Sequence, residues 1–286
     1  MAGSRVVVGV DGSALGAAAV SHAARVASAR GLDLVVLHAF AADLPILGFG
    51  GGADRAEVDR LAKRLLDDGV ARAHAVDPSL TVTTLVRDGF ASQALVDASR
   101  TAALVVVGAM GHGVLSRASV GAVAMQVVTH ARCPVLVVGH ESAPAAQEGG
   151  RVVVGVDGSK PSLKALAAAF DEAALRRASL EIVHVWQPRG AADPTLSAES
   201  SWSKYEADLE ASVERALASR RAERPGVKVG LEVVRGEPGK ALVDHSEGAE
   251  LLVVGSRGSG GFEGLHVGST ALQLMGRSHA PILVVR

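Results

Sequence analysis

A single cysteine, Cys133, stands in the 286 residues. One thiol excludes an intramolecular disulfide and any cysteine-rich zinc site, and it points to a reducing, cytoplasmic setting. Its place just before an apolar run reads as packing rather than chemistry. Aromatic residues make up only 3%, too few for the platforms on which single-stranded nucleic acid binders stack bases. Charge of one sign is lacking too: 29 Lys and Arg against 30 Asp and Glu leave a net −1, with a pI near 6.8. That balance creates no global field to gather nucleic acid or anionic lipid, so any charged ligand must be held locally. No apolar run approaches the ~20 residues that cross a bilayer, so no membrane insertion is expected. The first apolar run, 6–10, is also too short for a signal-peptide core.

Several catalytic signatures are missing as well. No G-x-x-x-x-G-K-[ST] phosphate loop occurs; Gly239-Lys240 is followed by Ala241. There is no H-E-x-x-H zinc helix and no G-x-S-x-G nucleophile elbow.

What the chain has in quantity is apolar material, 48% of residues with a mean hydropathy of +0.28, and a repeat. The nine residues RVVVGVDGS at 5–13 recur at 151–159. Arg5 maps to Arg151 and His38 to His184 at an offset of 146; Gly108, Gly111, Gly121 and Pro134 map to Gly255, Gly258, Gly268 and Pro281 at 147. The chain therefore reads as two copies of one domain, 1–139 and 151–286, joined by a small, polar linker at 140–150. A copy of ~140 residues is long enough to bury its own core.

Within each copy, short valine-rich runs alternate with alanine-rich helical segments. The first copy predicts strands at 6–10, 34–40, 81–86, 104–108 and 134–138, with helices at 14–30, 54–76, 90–101 and 120–131. The second predicts strands at 151–156, 180–185, 228–234, 251–255 and 281–285. Continuous apolar strands suit parallel sheets buried on both faces. The expected architecture is α/β, two tandem open parallel sheets of five strands flanked by helices. Ligands of such sheets sit at the carboxyl ends of the strands, near a topological switch point.

Two features collect there. The first strand of each copy, which carries Gly9 or Gly155, ends at Asp11 or Asp157, followed by Gly-Ser and a helix. Such a carboxylate accepts from a ribose hydroxyl or helps hold a divalent cation; alternatively Asp or Ser merely caps the helix. The fourth strand leads into GAMGHGVLSRASVGA (108–122) and GSRGSGGFEGLHVGS (255–269), both G-x-x-G, nine residues, then G before a helix. Glycines at a strand-to-helix turn let backbone N–H groups approach an anion, and the helix N-terminus adds partial positive charge. Two copies with the same spacing favour a phosphate cradle over a tight turn. The glycine run at 48–52 lacks that spacing and reads as a loop. His38 and His184 end apolar strands and read as hydrogen-bonded core residues.

With V-G-V-D-G-S, L-x-x-H, V-V-G-x-x-G and the closing P-V/I-L-V-V in place, essentially the whole chain resembles a tandem universal stress protein of the ATP-binding subgroup, marked by G-x-x-G, nine residues, G-[ST]. The resemblance implies an adenine-nucleotide α-hydrolase-like fold with ATP across the first and fourth strands of each copy. Gly108, Gly111, Gly121, Gly255, Gly258 and Gly268 would contact phosphates. Asp11 and Asp157 would lie near ribose or a phosphate-bound Mg2+, and the backbone of Ala39 and Val185 near adenine. It further implies that the final strands of the two copies pair. It leaves open a homodimer and a further protein partner.

The copies differ where phosphate would sit. The second reads Gly268-Ser269-Thr270, with two hydroxyls at the helix start; the first reads Gly121-Ala122-Val123. A side-chain hydrogen bond to a charged group contributes ~1.5–3 kcal/mol, so nucleotide is expected to bind more weakly in the first copy by roughly ten- to a hundredfold unless Arg117 compensates. Arg257 occupies the second loop where the first has Met110. No residue stands out as a catalytic base, so no catalytic residue is assigned. Binding for a regulatory, stress-response role is favoured over slow metal-dependent ATP hydrolysis, with cyclic AMP an alternative occupant.

Overall fold

The computed structural model describes residues 4–40, 55–111, 120–139, 150–186, 199–258 and 267–286. The chain divides into two compact units, 1–140 and 141–286. In the first unit the elements run β1 (Arg5–Gly9), α1 (Ala14–Arg30), β2 (Asp33–Phe40), α2 (Arg55–Val76), β3 (Val82–Asp88), α3 (Ala91–Ala98), β4 (Leu104–Gly108), α4 (Ala122–His130) and β5 (Val135–Val138). In the second they run β6 (Arg151–Gly155), α5 (Lys160–Arg176), β7 (Ser179–Trp186), α6 (Glu199–Glu223), β8 (Val229–Arg235), α7 (Pro238–Ser246), β9 (Leu251–Gly255), α8 (Ser269–Met275) and β10 (Ile282–Val285).

Each unit is a parallel five-stranded sheet, ordered β3-β2-β1-β4-β5 in the first and β8-β7-β6-β9-β10 in the second. The chain leaves β1 toward β2 and β3, then returns to lay β4 on the other side. A crevice therefore opens at the carboxyl ends of β1 and β4, where the connections diverge. Register fixes which residues meet there: Val6, Val7 and Val8 stand opposite Leu104, Val105 and Val106, and Val152, Val153 and Val154 opposite Leu251, Leu252 and Val253.

The central strands are apolar on both faces because helices cover both. Val6, Val8, Val105 and Val106 are fully buried, as are Val152, Val153, Val154 and Leu252. Alanines let α1 lie close to the sheet: Ala19, Ala23, Ala24 and Ala27 are fully buried. In α5 the residue matching Ala24 is Phe170, also fully buried, so the second core is filled with a larger side chain. Cys133 is buried before β5, as a packing residue should be.

The expectation of strands buried on both faces fails at β8, where no residue is buried, and at β3. Only Val82 and Leu85 are half-buried there, and the other five residues are exposed. The strand lies at the sheet margin of its unit. Its TVTTLV sequence reflects β propensity rather than depth. Strand β5 starts at Val135, one residue later than expected, since Pro134 has no N–H for the ladder. Its carbonyl still accepts from Val105 N at 3.1 Å. Linker residues 140–149 and the glycine run at 48–52 lie outside the described residues. Among the described residues no helix is long and apolar enough to cross a membrane.

Candidate functional site

The turn from β1 into α1 divides its labour between two adjacent side chains. Gly12 takes φ +84° and Gly158 φ +80°, a conformation that side chains resist. The reversal puts Ser13 at the helix start, where its hydroxyl accepts from Gly16 N at 3.0 Å; Ser159 does the same for Ser162 N at 3.3 Å. The serines, not the aspartates, cap the helices. Asp11 Oδ1 accepts from Ser13 N at 2.9 Å and from its hydroxyl at 2.6 Å, and Asp157 Oδ1 accepts from Ser159 N at 3.0 Å. One carboxylate oxygen thus braces the turn. The other, Oδ2, faces the glycine loop: a methyl group on Gly111 would lie 2.5 Å from Asp11 Oδ2, and one on Gly258 2.7 Å from Asp157 Oδ2.

The glycine loops are pinched shut at their bases. Ala109 N donates to Val138 O and Gly121 N to Ala109 O, both at 2.8 Å; Ser256 N to Val285 O and Gly268 N to Ser256 O repeat this at 2.7 Å. Gly121 is consequently packed on Met110 and Gly111, and Gly268 on Arg257 and Gly258. Helix α4 then starts at Ala122, and its first intrahelical bond is Met125 N to Gly121 O. The N–H groups of the preceding turn have no helical acceptor and are suited to an anion. Asp11, Gly111 and the α4 N-terminus therefore meet at one place although the sequence separates them widely.

A cleft of about 440 Å3 opens there in the first unit, within the range of pockets that hold small ligands. Gly9, Val10, Val107 and Gly108 form its floor; Leu37 and Ala39 come from β2, and Ala91 and Leu95 from α3. Asp11, Ser13, Met110, Gly111, Gly121, Ala122 and Val123 border it at the loop end. One end is apolar, fit for an aromatic ring; the other offers backbone N–H groups and a carboxylate. Of the residues singled out in the first copy, Gly9, Asp11, Ala39, Gly108, Gly111, Gly121, Ala122 and Val123 all line this cleft, and Arg117 lies outside the described residues.

In the second unit Asp157, Gly258 and Gly268 are brought together as described, and Ser269 and Thr270 open α8. Arg257 is exposed, while Val185 is half-buried in β7 opposite Val234.

Some glycines have a plainer reason to be small. A methyl on Gly108 would meet the Leu15 backbone at 3.1 Å, and one on Gly255 the Pro161 backbone at 2.9 Å. Gly9 likewise gives way to Leu95, and Gly155 to Leu242. They let helices approach the strand ends and so shape the cleft from behind.

Leu37, Ala91 and Leu95 line the cleft from outside any motif, and Met110 from within one. Met110 lay inside the motif and was legible; Leu95 carries no motif, only a place on α3 that topology sets against Gly9. The histidines hold the strand ends: His38 Nδ1 donates to Val10 O at 2.8 Å and His184 Nδ1 to Val156 O at 2.7 Å. His184 Nε2 also bonds the Tyr205 hydroxyl. Both are structural, each fixing the carbonyl just before the site aspartate.

Comparison with known proteins agrees with this duplicated architecture. The model of the universal stress protein family matches twice, over residues 4–139 and 150–286. A universal stress protein of Mycolicibacterium smegmatis is 33% identical over 292 residues, covering 98% of this chain and 96% of its own. One from Mycobacterium tuberculosis is 34% identical over 291 residues, with the same coverage. Among solved structures, a universal stress protein from Archaeoglobus fulgidus superposes with a TM-score of 0.72 at 20% identity, covering 99% of this chain and 96% of that one.

Proposed function

Because the chain belongs to the universal stress protein family, we propose that it is an ATP-binding regulatory protein of the cytoplasm, holding an adenine nucleotide at the carboxyl end of the sheet in each half. The observation that carries this is the meeting of Asp11 Oδ2 with Gly111 beside the α4 N-terminus, at the polar end of an otherwise apolar cleft. The residues fit the group: a methyl at Gly111 or Gly258 would occupy the space beside the carboxylate that a phosphate or ribose needs. Adenine lies against the apolar end, bordered by Ala39 in the first half and Val185 in the second. The phosphates rest on the glycine-loop backbone and the helix N-terminus, with Asp11 or Asp157 on a ribose hydroxyl or beside a phosphate-bound Mg2+. When bound, Mg2+ supplies charge neutralisation between phosphate oxygens.

The second half binds more tightly. Ser269 and Thr270 begin α8 where Ala122 and Val123 begin α4, and Val123 turns an apolar, 40% exposed side chain to the first cleft.

Efficient hydrolysis needs an oriented water and positioned cations. Among the described residues lining the first cleft, Asp11 is the one ionisable group, and it is already braced on Ser13. Nucleotide is therefore a ligand that partners read. Slow metal-dependent ATP hydrolysis and binding of cyclic AMP are the alternatives. Denaturing the purified protein and identifying the nucleotide released tests the occupant, and phosphate release from the Asp157→Ala and Gly268→Ala variants tests turnover. No nucleotide released and none bound contradicts the proposal; turnover abolished by both changes replaces it with the ATPase.

A further inference from the structure

Far from the glycine loops, toward the amino-terminal end of the second sheet, three side chains converge that the nucleotide site does not use: Glu181 on β7, Glu232 on β8 and His245 near the end of α7. The fold does not require them. Val7 and Val153 are equivalent in the repeated strand and stand opposite Val35 and Glu181 respectively. Leu37 and Val183 face Leu85 and Glu232. Ser99 and Ser246 accept from the equivalent Arg132 N and His279 N, so Ala98 corresponds to His245. The first unit thus fills these three places with valine, leucine and alanine.

Position and tautomer of His245 are fixed. Arg151 donates to the carbonyl oxygens of His245 and Glu247 at 3.1 and 2.8 Å, anchoring the end of α7. Its other guanidinium nitrogen lies 2.6 Å from Glu181 Oε2, and Glu181 Oε1 lies 2.6 Å from His245 Nδ1. A carboxylate only accepts, so Nδ1 carries the proton and, in the neutral ring, Nε2 carries the lone pair. Nε2 lies 3.9 Å from Glu232 Oε1. Two electron-rich atoms so placed attract a cation between them. Two ligands ~2.0–2.2 Å from one zinc ion stand roughly 3.4 Å apart at a tetrahedral angle, so a small rotation of Glu232, whose side chain is 56% exposed, closes the gap. A histidine whose second ring nitrogen donates to a carboxylate is the usual setting of a metal-bound imidazole.

We propose that His245 Nε2 and Glu232 bind a zinc-class divalent cation at the solvent-facing edge of the second unit, with water completing the shell. Glu181 is a positioning residue: both its oxygens are taken, one by Arg151 and one by the imidazole.

The test is titration of ZnCl2 alone into the full-length, nucleotide-free chain, followed by calorimetry. His245→Ala and Glu232→Leu copy residues that the first unit tolerates, so the fold is retained, which circular dichroism checks. Both variants are expected to lose one equivalent of bound zinc, and Glu181→Gln to weaken that site roughly ten- to a hundredfold. In imidazole nitrogen NMR of the wild type, zinc shifts the His245 Nε2 resonance while Nδ1 stays protonated. Zinc stoichiometry and affinity unchanged in His245→Ala, or a His245 Nε2 resonance that zinc leaves in place, overturns the proposal.

Discussion

At the scale of single residues, glycines in one motif carry different jobs, and substitution separates them. A methyl at Gly258 would meet Asp157 Oδ2, the far end of a side chain rather than backbone. Gly258→Ala should therefore change stability by less than about 1 kcal/mol yet weaken nucleotide binding in its half at least tenfold by displacing that carboxylate. A methyl at Gly255 would meet the Pro161 backbone, which cannot swing aside. Gly255→Ala should cost about 1–3 kcal/mol of stability as overpacking, read in urea denaturation. Equal effects of the two changes on stability and on binding would contradict this division.

Glu250 provides a second residue-level prediction. Burial pushes its carboxyl above the ordinary range, and Arg176 at 3.8 Å only partly opposes this. A folded-state pKa above the unfolded one means that the native protein holds the proton more tightly. The penalty is absent below the unfolded value, about 4.3, and grows as pH rises through the folded one. The equivalent position is Ala103, since Ala103 N donates to Arg5 O as Glu250 N does to Arg151 O. Glu250→Ala should accordingly stabilise the second unit more at about pH 7 than at about pH 4. A gain that does not vary with pH between urea melts at the two values would refute the cause given.

How legible such residues were depended on whether a short motif carried them. Asp11, Gly111 and Gly121 were visible because a phosphate-type turn needs small residues at fixed spacing. Leu95, Glu181, Glu232 and His245 were not, because only strand register and helix placement bring them to their partners.

At the scale of elements, repeated strands and caps made most boundaries readable, and the differences have local causes. Helix α3 ends at Ala98 rather than near 101 because Ser99 turns its hydroxyl back to Val96 O at 2.5 Å and receives Arg132 N at 2.8 Å. Ser246 repeats both contacts at 2.6 and 3.0 Å. These buried serines tie the helix that backs the cleft to the segment leading into the last strand. Ser99→Ala removes the acceptor of Arg132 N, a part-buried bond, and should cost about 0.5–1.5 kcal/mol, measured by thermal denaturation; an unchanged Tm would show that the tie is dispensable. Strands β3 and β8 are shallower than their composition suggests. Threonine and valine mark a strand wherever it lies, and only the strand order tells that β3 sits at a margin.

At the scale of the whole molecule, one scaffold is written twice and equipped differently each time. The RVVVGVDGS strand and turn recur with the same serine cap and aspartate brace. Beyond them the first copy begins the helix after its glycine loop with an alanine and a valine, while the second begins it with a serine and a threonine. The second copy also has a histidine and two glutamates where the first has apolar side chains. Duplication keeps the fold and frees the side chains of each half to diverge. The two copies were legible from the sequence because identical strands repeat at a fixed offset; the unlike helix starts after the glycine loops were legible only as a difference of a few side chains.

The central claim is that both halves hold adenine nucleotide at their glycine loops, the second more tightly. Calorimetric titration of ATP with Mg2+ into the full-length chain, repeated with Gly111→Val and with Gly258→Val, tests it most directly. Two sites separated by roughly ten- to a hundredfold are predicted, with Gly258→Val removing the tighter and Gly111→Val the weaker. A wild type that binds no ATP, or two variants that leave both sites intact, would contradict it.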